Sequence, residues 1–97
     1  MNGYVHASEK DNLVTCVRAM KAGERVLVDG TEVVVRNDIP IYHKMAVSEI
    51  KKGEEVYKYG EVMGVASRDI HIGEWAHIHN VDCTRGRGDI AKREVQQ

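Results

Sequence analysis

An all-β domain of short, sharply turned strands is the fold this sequence predicts, and three observations predict it. Valine dominates the apolar residues, phenylalanine is absent, and only one tryptophan and four tyrosines occur, so the core must be assembled from branched and small aliphatic side chains that suit strands. Asp29-Gly30 lies between two valine-rich runs, "ERVLV" and "TEVVVR", which is the chemistry of a tight hairpin turn. "AMKAGERV" from 19, "EIKKGEEV" from 49 and "DIHIGEWA" from 69 repeat one pattern: an apolar residue, two spacers, Gly-Glu, a spacer, an apolar residue. Each copy reads as a turn before a strand restarts, and their unequal spacing argues against a solenoid.

Taken in order, "NLVTCVRAM" alternates with period two and predicts a first strand. The two valine runs around Asp29-Gly30 predict a hairpin. Pro40, the only proline, denies a ladder donor and pushes Ile39 toward extended geometry, so "NDIPIY" is a loop or an edge. One helical turn is expected from Ala46 to Ile50. "EEVYKYG" and "EVMGVA" read as short strands, "SRDI" as a turn and "EWAHIHNV" as a final strand. The tail 84–97, "TRGRGDIAKREVQQ", loses the valines; it is read as a solvated, flexible end, or else as a short docking helix over "DIAKREVQ". The domain is thus expected over 1–83.

The bulk properties exclude several partners. A chain of 97 residues with net charge −1 makes one small domain with no long-range field to attract nucleic acid or an anionic bilayer. No apolar run approaches the roughly 18 residues of a membrane span, and the start lacks a cationic patch followed by an apolar stretch. A cytoplasmic protein is expected. The two cysteines, Cys16 and Cys83, form no CxxC pair and suggest neither a disulfide framework nor a zinc ribbon.

The chemistry-bearing residues are histidines. "HIGEWAHIHNV" holds three of the five in the chain. On a strand His77 and His79 project from one face; they are either a wet polar face or acid/base and anion-binding groups for a site completed elsewhere, since imidazole titrates near neutrality. No carboxylate or cysteine stands beside them at ligand spacing, so no metal site is expected from this chain alone. His43 and Lys44 follow the Ile-Pro turn and face opposite sides of an extended backbone; Lys44 is either a solvated cation or part of a fixed cationic corner suited to a carboxylate. Asp11 and Asn12 precede the first strand, where such residues ordinarily bond to nearby backbone amides.

Together, "DN" at 11, "IPIYHKMA" at 39, Ile50 with Gly53, and "VYKYGEVMGVASRDIHIGEWAHIHNV" from 56 resemble the small SAF-type domain of the altronate and galactarate dehydratases. The resemblance spans residues 4 to 82, and the combination of its motifs is far more specific than any one of them. It implies a β-clip fold. It also implies a lyase: a hydro-lyase that removes water from a sugar acid with a divalent metal, iron(II), in the assembled enzyme. Such a domain either precedes a large catalytic domain or forms a separate small subunit beside a large catalytic subunit. A sister branch eliminates sulfite from sulfolactate, and SAF-type domains elsewhere serve as non-catalytic carbohydrate- or partner-binding modules.

Eliminating a β-hydroxyl needs a base, a cation for the enediolate and an acid for the leaving group. The resemblance places catalytic groups at His43, Lys44, His77 and His79 and substrate-binding groups at Asp11, Asn12 and Asn80, on a lid or wall over a site built by the partner. An uncovered docking face also leaves room for a homo-oligomer. One departure is Trp75, where the family is small or valine-like ahead of "HxHN": the ring either covers the core edge or anchors a large subunit.

Overall fold

The computed structural model describes residues 3–83; both readings of the tail 84–97 lie outside them. Among the described residues the valine-rich alternation becomes nine short antiparallel strands in three sheets. β1 (Tyr4–Val5), β2 (Leu13–Cys16), β5 (Lys44–Ala46) and β8 (Trp75–Ala76) form a four-stranded sheet in the order β1-β2-β5-β8. β3 (Arg25–Val28) and β4 (Thr31–Val34) make the hairpin expected at Asp29-Gly30, both turn residues having positive φ. β6 (Glu55–Lys58), β7 (Glu61–Ala66) and β9 (Val81–Asp82) form the third sheet.

The central sheet separates two cores. Its register sets Val14 opposite Met45 and Met45 opposite Trp75, and Val14, Cys16 and Met45 pack with Val26, Val28 and Val33 of the hairpin. The alternate residues Leu13, Ala46 and Ala76 pack with Val56, Ala66 and Val81 of the third sheet. Leu13 and Val14 are therefore both buried although adjacent, as in a strand covered on both faces. Each such side chain contributes about 1.5–3 kcal/mol of burial.

The repeated Gly-Glu corners have a common construction. In each, the glutamate carboxylate accepts the backbone N–H three residues earlier: Glu24 from Lys21 at 3.0 Å, Glu54 from Lys51 at 2.8 Å and Glu74 from His71 at 2.8 Å. The apolar residue opening each corner is buried, and Met20 bridges Ile39 as Ile50 bridges Ile70. The corner glycines share one left-handed φ, 90°, 90° and 89°. Gly73 carries a further constraint: a Cβ there would lie 2.0 Å from the Val34 carbonyl oxygen.

Two local expectations fail. No helical turn forms from Ala46 to Ile50, because β5 runs to Ala46, the Val47 N–H bonds the Asn12 carbonyl and Ile50 is held in its bridge. The final strand is broken as well. After β8 the chain turns through 77–80 before β9, since the buried Asn80 side chain accepts the His77 N–H at 2.9 Å and donates to the Trp75 carbonyl at 2.8 Å.

Two polar contacts tie the layers together. Asp11, 4% exposed, accepts the Tyr59 and Gly60 N–H groups at 2.8 and 2.7 Å and lies 4.0 Å from the buried Lys58 Nζ. Lys58 Nζ makes no hydrogen bond but sits 3.8 Å from the centre of the Tyr59 ring. Burial alone would raise the Asp11 pKa; the Gly60 and Tyr59 amides and the Lys58 charge outweigh it and hold the carboxyl below its ordinary value. His6 faces acceptors through both ring nitrogens, the Asp29 carboxylate at 2.5 Å and the Asp11 carbonyl at 3.0 Å. Burial pulls its pKa down, but these acceptors leave it raised.

Candidate functional site

Three of the expected catalytic residues meet at one indole. His43 precedes β5 on the side of the sheet that carries Met45 and Trp75, while Lys44 lies on the alternate side with Ala46 and Ala76, as adjacent residues on extended backbone must. Trp75 occupies β8 directly beside this edge. Its ring centroid stands 5.6 Å from His43, 5.6 Å from His77 and 5.2 Å from His79. The Trp75 and His77 planes lie within 10°, an offset stack, and His43 and His77 are 4.7 Å apart. The indole N–H donates to His43 Nδ1 at 3.2 Å.

The turn through 77–80 changes how His77 and His79 come together. Neither is on a strand, so period-two alternation is not what pairs them. Both are exposed, and they converge because the Asn80 turn wraps them around Trp75. The preceding loop is itself unusual: Tyr42, exposed, takes φ +70°, a costly conformation for a bulky residue, with its N–H bonded to the Cys16 carbonyl and the His43 N–H to the Pro40 carbonyl. That tight turn aims His43 at Trp75.

Lys44 and His77 share the lining of a depression of about 200 Å³ whose floor is apolar, with Leu13, Val56, Met63 and Val81. Ile78 projects at its rim, 80% exposed. Cation, imidazole and greasy floor are thus available together to a ligand or partner chain.

The residues expected to bind substrate are placed differently. Asp11 holds the turn between β6 and β7, as described above. Asn12 accepts the Tyr57 N–H at 2.8 Å and donates to the Glu55 carbonyl at 3.1 Å, fastening β6. Asn80 builds the histidine turn. All three spend their side chains on backbone groups of the frame. Among the described residues no three His, Cys, Asp or Glu side chains converge on a point that could hold a metal ion, and His43 Nδ1 is occupied by the indole N–H. No helix among them is long and apolar enough to cross a membrane.

Sequence reasoning missed Lys58 and undervalued Trp75. For Lys58 a signal existed: it alternates with Val56 on β6 and so must face inward. For Trp75 the three neighbouring imidazoles come from a loop and a turn that no periodicity links.

Comparison with known proteins agrees with this architecture. Residues 2–84 match the family described as the altronate/galactarate dehydratase SAF domain. An altronate dehydratase of Bacillus subtilis is 38% identical over 82% of this chain, and one of Escherichia coli 36% identical over 79%. The chain spans only 16% of the length of each. A (2R)-sulfolactate sulfo-lyase subunit alpha of Chromohalobacter salexigens is 31% identical over 84% of this chain, and there the match covers 93% of the relative. With its two-cored all-β build and a family match over its whole described length, this chain belongs to the SAF domain family of the altronate and galactarate dehydratases.

Proposed function

We propose that this chain is the small subunit of a sugar-acid hydro-lyase of the altronate/galactarate type and forms one wall of an active site that a large catalytic polypeptide completes. The observation that carries the reading is the gathering of His43, His77 and His79 around Trp75, next to an open depression lined by Lys44. An ammonium suits the carboxylate of a hydroxy acid, and exposed imidazoles suit the proton transfers of α-proton removal and β-hydroxyl departure. The divalent metal, iron(II) in this reading, belongs to the large polypeptide. When bound there it would supply Lewis-acid stabilisation of the negative charge that develops on the substrate as the α proton leaves. Exposed Ile78 and the apolar floor suit coverage by that partner.

A second reading has its own support. The sulfolactate sulfo-lyase subunit is matched over 93% of its length, so a small subunit that assists sulfite elimination is the competing assignment. Both are tested by purifying the chain with its large polypeptide and offering altronate, galactarate and sulfolactate. Dehydration of a sugar acid supports the first reading and sulfite release the second. In either case His77→Ala with His79→Ala should lower turnover by about 10²-fold or more, with little change in unfolding temperature because both rings are exposed. Full turnover by that double variant would refute the site.

A further inference from the structure

The contact between Trp75 and His43 settles more than packing. An indole nitrogen can only donate a hydrogen bond, and a neutral imidazole carries its proton on one nitrogen while the other accepts. With Trp75 Nε1 at 3.2 Å from His43 Nδ1, the accepting nitrogen is Nδ1. The proton of neutral His43 then sits on Nε2, and Nε2 has no protein partner among the described residues. The same indole stacks on His77 within 10° of parallel at 5.6 Å and meets His79 at 5.2 Å with the rings tilted by 54°. One side chain therefore orients three imidazoles and chooses the proton position of one of them, much as second partners fix the tautomers of ligating histidines elsewhere.

We propose that Trp75 is a positioning residue that locks His43 in its Nε2–H tautomer, so that His43 meets an oxygen of a hydroxy-acid substrate as a hydrogen-bond donor and not as the base. The substrate class rests on the function proposed above; the tautomer does not. The assignment divides labour within the cluster. His43 donates to a carboxylate or to the departing hydroxyl, and the proton-accepting role falls to His77 or His79, which pack beside the indole ring while its N–H is given to His43.

The test is long-range proton–nitrogen correlation NMR on the full chain labelled with 15N-histidine, at mildly alkaline pH where imidazole is neutral. His43 Nδ1 should resonate at the unprotonated end of the imidazole range and Nε2 at the protonated end, and the Trp75 indole proton should exchange slowly with solvent. Trp75→Phe keeps an aromatic ring and removes the donor; its His43 Nδ1 signal should move toward the average of two exchanging tautomers. A protonated Nδ1 in the unmodified chain would overturn the proposal, as would a Trp75→Phe spectrum with His43 Nδ1 unmoved. If that variant does not fold, the spectrum of the unmodified chain decides alone. Neither readout involves turnover, so an inactive assembly would count against the dehydratase reading and leave the tautomer in place, whereas a wrong tautomer would do the reverse.

Discussion

Asp11→Asn separates a strut from a ligand. Asp11 was expected to bind substrate, yet its two oxygens take the Tyr59 and Gly60 amides at 2.8 and 2.7 Å and face Lys58 Nζ at 4.0 Å, both side chains being fully buried. An asparagine keeps one acceptor and puts an NH2 group against the other amide. It also leaves the Lys58 ammonium without its counter-charge, and removing one partner of a buried pair costs about 3–5 kcal/mol. In a domain of this size each kcal/mol moves the midpoint by about 4–8 °C, so thermal unfolding followed by circular dichroism should show Tm lower by about 20 °C. Lys58→Met should be milder, because it removes the charge and refills the space with an apolar chain. Asp11→Asn in that background should then cost at least about 1 kcal/mol less than alone. If Asp11→Asn melts with the unmodified chain and only ligand affinity falls, the strut is wrong and Asp11 belongs to the binding surface.

The remaining predictions address pH, backbone and thiols. The lowered pKa of Asp11 makes its stabilisation complete above its ordinary value of 3.8 and lost as pH falls through the lower folded value. The raised pKa of His6 makes its stabilisation complete below 6.5 and lost as pH rises through the folded value. Urea midpoints measured against pH should therefore plateau between those limits, and His6→Asn should flatten the alkaline limb alone. Gly53→Ala and Gly73→Ala share the same backbone strain, about 1–2 kcal/mol, but only the second drives a Cβ to 2.0 Å from the Val34 oxygen. Gly73→Ala should thus unfold at clearly lower denaturant, by a further 1–3 kcal/mol or so, and equal midpoints would dismiss the clash. Burial pushes the Cys16 thiol up to about 11, whereas Cys83 is exposed. Mass spectrometry after brief alkylation should find one adduct, on Cys83, in the native chain and two in denaturant.

The parts of the fold that were legible in the sequence are those whose cause is local. The hairpin was readable because Asp29 and Gly30 alone supply the positive φ the turn needs. The corners were readable as a repeat, although why glutamate follows glycine became plain only from its bond to the amide three residues back. The break in the last strand was hidden because "HIHN" alternates well enough for β structure, and it is Asn80, bonding within five residues, that overrides the pattern. Long-range polar pairs were beyond reach. Asp11 and Lys58 stand 47 positions apart, and nothing in either neighbourhood names the other. At the candidate site the residue types were legible and their assembly was not: the sequence supplied three histidines and one indole, and only the folded edge of the central sheet shows them meeting.

The chain has a single tryptophan, and the fold has put it in the middle of that cluster. Excited on the red edge of its absorption, where the four tyrosines contribute little, its ultraviolet emission is a built-in optical gauge of one location in this chain. Arrival of a partner polypeptide over the depression, or of an acid among the rings, can be titrated by fluorescence without attaching a dye, with His77→Ala as the blank that removes the stacked ring.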